Sequence, residues 1–433
     1  MIGNTIDMAR DPAQFFLRSY RRYGPAYRIR VLGRTQTVLA GPEAALFMGT
    51  AEGRDSLRSK EFWGGLVREY GAARTLTGED GETHKELRAI MRRGYSRAAI
   101  AGRYDEVLDI TEAAIDRDWK PGTKVPVVPA MQYLVVDQLG TLLTGQAPTE
   151  YVEDIRLFIT YILNILVTKQ RPSLLLRDPR YRRAKRRVNE LGQGMIAARR
   201  GQPPATDDAR TLIDDIMIAH AERPDLIPDS DLVLSLTGPY VAGLDTVANT
   251  LAATVYAVLR HPEVRQRVIA ESDALFAGGT IDDSTLTRSI PAVTGAISES
   301  MRLYPIAVAQ MRTATRDFVF ADTQIKADEM VYVATSVPHF MSEFYPDPHA
   351  FDIDRYAKPR AEDRAPGAYS PFGRGPHLCL GKSLAEVQMA LTIATLFHRR
   401  QLALPSPDYR LKTSTAPTPG PARSFAVRVL GAR

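Results

Sequence analysis

Cysteine is almost absent from this sequence, which has a single one, Cys379, among 433 residues. One thiol can form no internal disulfide and no cysteine-rich zinc site, so the hydrophobic core must stabilise the fold. Histidine is also rare, at seven residues, and none stands in an H-E-x-x-H or similar zinc-binding spacing. No complete G-x-G-x-x-G motif occurs either, so the sequence gives no signal for a dinucleotide-binding domain.

Long apolar segments without interruption are missing as well. The first eleven residues contain charged side chains and lack the apolar core of a signal peptide, so we expect a cytoplasmic protein without a membrane anchor. The most apolar stretch, residues 232–259, contains one charge, Asp245, and an internal proline, Pro239. Both are costly in lipid, so this stretch predicts a helix buried in a large domain.

The excess of positive charge is small, +6 with a pI near 9.3. A basic surface suits nucleic acid, anionic lipid or an acidic protein, and the sign alone does not select among them. The densest basic run, residues 177–187, contains one aromatic residue, Tyr181, and predicts a solvated helix face. We therefore expect no nucleic-acid partner.

The apolar pattern predicts a mainly α-helical protein with small β-rich segments, and the length allows either about three domains or one large helical body with a small annex. Residues 42–310 and 382–399 have helical periodicity and form the predicted helical body. Residues 27–40 alternate around a glycine as a β-hairpin does, and residues 318–335 have the composition of paired strands. Seven prolines between positions 338 and 376 exclude a long helix there.

The cysteine lies where this proline-rich region meets the last predicted helix, in residues 372–381, which read FGRGPHLCLG. Three glycines in ten residues allow positive φ and a close approach of the backbone to a flat partner. A thiolate at the beginning of a helix is stabilised by the helix dipole and by free N–H groups. The alternative reading of these residues is a buried structural cysteine beside a turn.

This loop resembles the haem-thiolate loop of the cytochrome P450 family, F-x-x-G-x-x-x-C-x-G. The resemblance implies a single domain of P450 fold over residues 1–433, with a small β-rich subdomain, that encloses haem b and uses residues 371–381 as the haem-thiolate loop. Cys379 would be the axial iron ligand, whose electron donation favours O–O cleavage. Phe372 would shield the sulfur, main-chain N–H groups would hydrogen-bond it, and His377 would donate to a haem propionate. The matching residues are Phe372, Gly373, Gly375, His377, Cys379 and Gly381.

A second match is an E-x-x-R motif formed by Glu299 and Arg302, 77 residues before the cysteine. Residues three apart share a helix face, so the two side chains can form an ion pair. The motif is weak alone, because many surface helices contain it, but its position resembles the K helix of the P450 family. There the pair engages a downstream arginine, matched by Arg355, in a structural triad that holds the cysteine loop.

Residues 242–246 read AGLDT inside the apolar stretch, although Gly, Asp and Thr each lower helix propensity. A buried acid should be paired or functional, and the alternative is an N-cap after a proline kink. The segment resembles the P450 I helix, A/G-G-x-D/E-T. The resemblance implies that Ala242 and Gly243 lie over the haem, and that Thr246 and Asp245 organise water for proton delivery, with the acid turned toward a solvent path.

Three further side chains resemble the propionate-binding residues of the family. His84 and Arg88 are four residues apart, can share a helix face, and match the H-x-x-x-R of the C helix. Arg312, ten residues after Arg302, matches the second propionate arginine, whose planar fork suits a carboxylate. The alternative for all three is ordinary surface charge.

The resemblance covers nearly the whole chain, with two departures. Pro239, four residues before Gly243, removes a helical hydrogen bond and is expected to bend the helix. Asp245 stands where the sterol 14-demethylase branch of the family usually has histidine, which argues against that branch.

The matches predict a soluble, bacterial-type haem monooxygenase that inserts one atom of O₂ into a bulky apolar terpenoid, steroid or fatty acid. The P450 body takes up the whole length, so we expect electrons from NAD(P)H to arrive through a separate ferredoxin and ferredoxin reductase. The alternatives are a peroxide-driven peroxygenase, against which Asp245 and Thr246 argue, and a non-catalytic haem-binding sensor or carrier. A terpene synthase is disfavoured because neither Asp-Asp pair has the third acid of a D-D-x-x-D site.

The resemblance also locates a substrate pocket and a docking face. Pro305 and residues 157–167 are expected in the core. An acidic ferredoxin is expected to dock on a positive face beside the cysteine loop, formed by Arg88, Arg92, Arg93, Arg374 and Lys382. The expected pocket residues are Phe62, Trp63, Leu66, Val241, Ala307, Val308 and Ala309.

Overall fold

The computed structural model describes residues 3–203, 205–206 and 209–433. Helices dominate the described chain, as the apolar pattern predicts, and the last of them coincides with the predicted 382–399. The α-helices are α1 Thr5–Arg10, α2 Pro12–Tyr23, α3 Gly41–Phe47, α4 Ala51–Ser56, α5 Lys60–Tyr70, α6 Gly81–Arg92, α7 Arg97–Ala101, α8 Tyr104–Asp118, α9 Val127–Thr144, α10 Val152–Ile162, α11 Pro179–Arg200, α12 Leu212–Glu222, α13 Asp229–Arg260, α14 Pro262–Ala277, α15 Asp283–Arg288, α16 Pro291–Leu303 and α17 Lys382–Arg399.

The strands form small sheets beside the helices. They are β1 Ala26–Val31, β2 Arg34–Ala40, β3 Leu57–Arg58, β4 Lys124–Pro126, β5 Gln310–Ala314, β6 Phe318–Phe320, β7 Thr323–Ile325, β8 Met330–Ala334, β9 Arg400–Ala403, β10 Thr413–Ser414, β11 Gly420–Pro421 and β12 Ala426–Ala432. The largest sheet has the order β1-β2-β8-β5-β3. Its first pair is the predicted hairpin, which is antiparallel with Tyr27 opposite Val38. β2 then runs parallel to β8, with Leu39 opposite Val333.

Several strands were not predicted. β5 begins at residue 310, where the predicted helical region ends, and places Arg312 in the middle of a sheet. β9 to β12 follow the last helix, where no element was predicted. β12 pairs with both β4 and β9. Most of these strands have two to five residues, which is too short for a period of two to be recognised.

The long apolar helix α13 crosses the interior and packs on α9, α16 and α17. It begins at Asp229, after Pro228, which stays extended (φ −70°, ψ 164°) and occupies the N-cap position. In the described part of the chain, α13 is the one helix that is both long enough and apolar enough to cross a membrane. However, 83% of its most apolar stretch is buried inside the protein. The burial agrees with a core helix. Pro239 lies inside it without ending it.

Candidate active site

A cavity of about 480 Å³ is lined on one side by the middle of α13 and on another by the loop that carries the cysteine. Further parts of its wall come from α5, α6, α9, α16, β5, the segments before α6 and β5, and the beginning of α17. Ala242, Thr246 and Cys379 have accessible side chains although they belong to interior segments. All three line the cavity, so their accessible surface faces it.

The cysteine loop is held in a tight turn by its own main chain. The N–H of Cys379 donates to the carbonyl of Phe372 (2.9 Å). Gly373 and Gly375 have φ of +74° and +76°, and a Cβ on Gly375 would lie 2.3 Å from the main-chain oxygen of Met48. A side chain at either position would be strained, so the loop requires glycine at both. α17 begins three residues after the cysteine.

The Cys379 thiol faces opposing electrostatic influences. Burial raises its pKa, whereas a hydrogen bond from the N–H of Gly381 and the guanidinium of Arg88 act in the opposite direction. The beginning of α17 adds the positive end of a helix dipole. The sulfur therefore faces the cavity with donors and positive charge beside it, which suits a thiolate that binds a metal.

Two arginines bring positive charge to the same cavity. Arg312 is buried and donates to Gln310 Oε1 (2.6 Å) and to the carbonyl of Met311 (2.8 Å). Burial lowers its pKa to about 10, and burial also lowers the pKa of Arg88. Neither arginine forms an ion pair with an acidic residue of the described chain. Cations without partners in an enclosed space favour a ligand that carries carboxylates.

Two histidines meet at the edge of this cavity. The rings of His84 and His377 are 4.3 Å apart, and His377 Nε2 lies 2.8 Å from Asp80 Oδ1. Burial and the charges of His377 and Arg88 lower the pKa of His84 to about 4, so it is neutral at pH 7. Asp80 was not predicted as a site residue. It lies 297 residues from His377, and no motif links the two.

The α13 wall presents Ala242, Gly243 and Thr246 to the cavity. The hydroxyl of Thr246 donates to the carbonyl of Ala242 (2.7 Å). Thr250 and Thr254 donate in the same way to the carbonyls four residues earlier, at 2.8 and 2.9 Å. Because its proton is used within the helix, the Thr246 oxygen offers its remaining lone pairs to the cavity as an acceptor.

Asp245 lies outside the cavity lining. Its carboxylate is buried and accepts a hydrogen bond from Gln132 Nε2 on α9 (2.7 Å). Burial raises its pKa, while the hydrogen bond from Gln132 and the charge of Arg423 oppose the rise. The resemblance implied an acid turned toward solvent. The structure instead places the carboxylate between α13 and α9, because the residue before Thr246 occupies a different helix face.

Glu299, Arg302 and Arg355 meet in the interior and are fully buried. Arg302 binds both oxygens of Glu299 through Nε and Nη2, each at 2.7 Å. Arg355 Nε donates to the same carboxylate at 3.1 Å. The other N–H groups of the two arginines donate to main-chain carbonyls within residues 339–350, and Arg355 Nη1 also donates to Glu362 Oε2 (2.9 Å). The cluster therefore ties α16 to the irregular segment that leads to the cysteine loop.

The arrangement agrees with comparison to known sequences. A sequence profile described as Cytochrome P450 matches residues 1–419. This chain belongs to the cytochrome P450 family. Cyclooctat-9-en-7-ol 5-monooxygenase of Streptomyces melanosporofaciens is 28% identical over 416 residues, which cover 93% of this chain and 87% of that protein. Putative cytochrome P450 120 of Synechocystis sp. is 24% identical over 433 residues, with coverage of 99% and 94%.

Solved P450 structures share the fold. The retinoic acid bound cyanobacterial CYP120A1 superposes with a TM-score of 0.85 at 22% identity, covering 100% of this chain and 97% of that one. The haem domain of cytochrome P450DA gives 0.82 at 22% identity, with coverage of 98% and 94%. The predicted fold class, a mainly helical P450 fold with small β-sheets, is confirmed.

P450 proteins bind haem through a cysteine thiolate, and the residues around this cavity fit that group. The single cysteine of the chain faces the cavity from a loop whose glycines allow close approach of a flat ring. Arg88 and Arg312 lack acidic partners and are placed to bind carboxylates such as the haem propionates. His84 lines the same region, whereas the ring nitrogen of His377 is engaged by Asp80.

The P450 cavity contains most of the expected pocket residues, but Val308 is not among them. Val308 lies between Ala307 and Ala309 in a non-helical segment and is buried in a separate core with β1 and β2. Alternate residues of an extended segment face opposite sides, so the two alanines line the cavity and the valine cannot. Pro305 lines the cavity rather than the core, whereas residues 157–167 lie outside the lining as predicted. The expected residues found there are Phe62, Trp63, Leu66, Val241, Ala307 and Ala309.

Other lining residues were not anticipated from the sequence. On α13 the lining recurs at helical spacing, at residues 235, 238, 239, 242, 243 and 246. This periodicity is present in the sequence, but the whole stretch is apolar, so it does not show which face meets the cavity. Unanticipated lining residues include Ser235, Gly238, Met301, Tyr304 and Gln310.

Proposed function

We propose that this P450 inserts one atom of O₂ into a bulky apolar substrate of the terpenoid, steroid or fatty-acid class. Electrons are delivered from NAD(P)H by a ferredoxin and its reductase in the cytoplasm. The observation that carries the proposal is one largely apolar cavity in which Cys379 and Thr246 are both accessible. Haem bound at Cys379 supplies the oxygen-activating chemistry. The apolar wall excludes water and binds the substrate through its hydrophobic surface.

Two similar proteins agree with this substrate size and polarity. One relative is named for monooxygenation of cyclooctat-9-en-7-ol, and the structure of CYP120A1 has retinoic acid bound. Both ligands are largely hydrocarbon. The wall formed here by Phe62, Trp63 and Leu66 with the middle of α13 offers the same kind of surface.

The chain's own contribution to oxygen activation is the placement of protons. The Thr246 oxygen accepts a hydrogen bond from water in the cavity, because its own proton is donated to Ala242. Asp245 is the adjacent acid, and burial raises its pKa, which favours a carboxyl group that holds a proton. Gln132 fixes one of its oxygens. In this proposal Asp245 supplies the proton and Thr246 holds the water that passes it on.

Substitution of Thr246 by alanine should uncouple the enzyme. The variant keeps the fold and the cysteine but loses the acceptor that positions water, so NAD(P)H oxidation continues while product formed per NAD(P)H falls and hydrogen peroxide accumulates. The loss should be on the order of 10²-fold at most, since water can enter the vacated space. Thr250→Ala is a matched control. Thr250 lies four residues after Thr246, lines the same cavity, and its hydroxyl also donates to the carbonyl four residues earlier. Unchanged coupling in Thr246→Ala would remove Thr246 from the mechanism.

The whole proposal is tested by binding and turnover with a library of terpenoids, steroids and fatty acids. We expect some members to shift the haem-loaded protein from low to high spin, and to be oxidised only when ferredoxin, reductase and O₂ are all present. Equal turnover with hydrogen peroxide alone would indicate a peroxygenase. A protein that oxidises no member under either condition would instead support a sensor or carrier.

The proposed ferredoxin face is narrower than the sequence predicted. Arg88 lines the cavity, Arg93 pairs with Asp215 (3.2 Å), and Arg374 is half-buried and donates to Ser370 (2.6 Å). Two members of the predicted set remain exposed at the sides of the cysteine loop, Arg92 at the end of α6 and Lys382 at the beginning of α17.

Charge reversal at these two positions should slow reduction by an acidic plant-type ferredoxin. We expect Arg92→Glu with Lys382→Glu to reduce the rate severalfold at low ionic strength, with the difference disappearing at high salt, because rim charges act mainly on association. Arg182→Glu with Arg183→Glu, both on the exposed face of α11, changes the net charge by the same amount and is the control. A reduction rate of the parent that does not change with ionic strength would show that docking is not electrostatic.

A further inference from the structure

Ser235 differs from the other hydroxyl residues of α13. Its hydroxyl makes no hydrogen bond to the described residues, although the side chain lines the cavity and is partly accessible. All the other serines and threonines of the helix have a hydrogen-bond partner, and these are Ser230, Thr237, Thr246, Thr250 and Thr254.

Pro239 frees a second polar group at the same place. In an α-helix the carbonyl of residue 235 accepts the N–H of residue 239, and proline has no N–H. Ser235, Gly238 and Pro239 all line the cavity, so the carbonyl that loses this partner belongs to a residue of the cavity wall. No atom lies within 4 Å of the position that a Cβ on Gly238 would occupy. One donor and two acceptors, from the hydroxyl and the carbonyl of Ser235, are therefore open to a ligand.

The apolar surroundings of the Ser235 hydroxyl and carbonyl make these two groups selective for one kind of ligand. The nearest lining residues on α13 are Leu234 and Val241, and polar groups left without partners against an apolar wall cost free energy. An alcohol satisfies both groups, because its O–H donates to the carbonyl and its oxygen accepts from the serine. A hydrocarbon satisfies neither, and an ionised fatty-acid carboxylate has no proton to donate to the carbonyl.

We infer that Ser235, with the carbonyl released by Pro239, anchors a hydroxyl group of the substrate. The inference rests on the proposed function and narrows its substrate class to terpenoid or steroid alcohols. Eleven residues separate Ser235 from Thr246, which is about 16 Å along the helix at 1.5 Å per residue. The anchored hydroxyl therefore lies at one end of the molecule and the oxidised carbon toward the other.

The test uses matched pairs that differ by one terminal hydroxyl: drimenol with drimene, and abietadienol with abietadiene. Dissociation constants are measured by calorimetric titration of the haem-loaded protein. We expect at least one alcohol to bind the parent about tenfold more tightly than its hydrocarbon, as one satisfied hydrogen bond in an apolar site predicts. The methyl ether of that alcohol should lose most of the advantage, because it cannot donate to the carbonyl.

Two variants separate the two groups. Pro239→Ala restores an N–H for the Ser235 carbonyl and should lower the alcohol preference severalfold, and Ser235→Ala should remove the rest of it. Neither should change hydrocarbon affinity by a comparable factor. Gly238→Ala adds a methyl group to the same open space without altering a hydrogen bond, so it should affect alcohol and hydrocarbon equally.

The outcomes distinguish the anchor from the proposed function. Alcohols and hydrocarbons that bind and are oxidised equally would overturn the anchor and leave the monooxygenase proposal intact. An alcohol preference that survives both Pro239→Ala and Ser235→Ala would also overturn it. Binding of none of the four compounds would overturn it as well, whatever other substrates the enzyme oxidises.

Discussion

Replacement of Cys379 by serine is expected to abolish the thiolate-specific absorption of the reduced, carbon monoxide-treated protein, and monooxygenation with it. The chain has no other cysteine that could take over the position. A serine hydroxyl ionises far less readily than a thiol and is a poorer electron donor to iron, so the loss of activity should be complete within detection. The measurement is a difference spectrum together with product formation on soluble, folded protein.

Leu378→Ser provides the control for this experiment. Leu378 is the neighbour of the cysteine, lines the same cavity and is 40% exposed, so a polar side chain there is tolerated without touching the sulfur. This variant should keep the thiolate band. Soluble Cys379→Ser protein that still shows the band would refute the assignment of the cysteine as the iron ligand.

Neutralisation of Glu299 should have the largest effect on stability. Its carboxylate accepts hydrogen bonds from Arg302, Arg355 and the hydroxyl of Tyr356 (2.8 Å). The charged side chains of Glu299, Arg302 and Arg355 are all fully buried. Glu299→Gln leaves the buried guanidinium of Arg302 without a counterion, and Arg355 with Glu362 alone. Removal of one partner from a buried ion pair costs about 3–5 kcal/mol, a large share of the roughly 5–15 kcal/mol that stabilises a typical domain. We expect little soluble haem-loaded protein, and a correspondingly lower denaturation midpoint for what is recovered.

Asp354→Asn tests the same segment at its surface. Asp354 pairs with Arg267 at 2.7 Å, but both side chains are about half exposed, so loss of the pair should change the free energy of unfolding by no more than about 1 kcal/mol. Arg355→Lys keeps a charge but loses the fork that reaches several acceptors, and it should be intermediate. If Glu299→Gln unfolds at the same denaturant concentration as Asp354→Asn, the buried triad does not stabilise the loop.

The features predicted best from the sequence are those set by local spacing. Glu299 and Arg302 are three residues apart on a helix, so their contact follows from helix geometry once the helix is recognised. Gly375 precedes the cysteine in a loop whose motif spans ten residues. The boundaries of α17 follow from the change between a glycine-rich turn and helical periodicity.

The features that could not be predicted depend on the fold. The pairing of Asp80 with His377 joins residues that only the tertiary structure brings together. Ala307 and Ala309 face the cavity and Val308 does not. This depends on which side of the extended segment before β5 faces the cavity, and the sequence alone does not determine that side. The effect of Pro239 was partly foreseen, since the lost hydrogen bond follows from its chemistry. That Ser235 and Pro239 line a cavity is known only once the tertiary structure locates it.

The threonine hydroxyls of α13 have a mechanical consequence. The hydroxyl groups of Thr246, Thr250 and Thr254 each donate a second hydrogen bond to a carbonyl that already accepts an amide N–H. Such shared acceptors weaken the main-chain hydrogen bonds and bend a helix. Together with the main-chain hydrogen bond missing at Pro239, these contacts weaken the hydrogen bonding along one side of α13 over about five turns. The opposite side keeps all of its main-chain hydrogen bonds. This long core helix of the P450 is therefore more compliant on the side of these threonines, of which Thr246 and Thr250 line the cavity, and its amide hydrogens should exchange at different rates on its two sides.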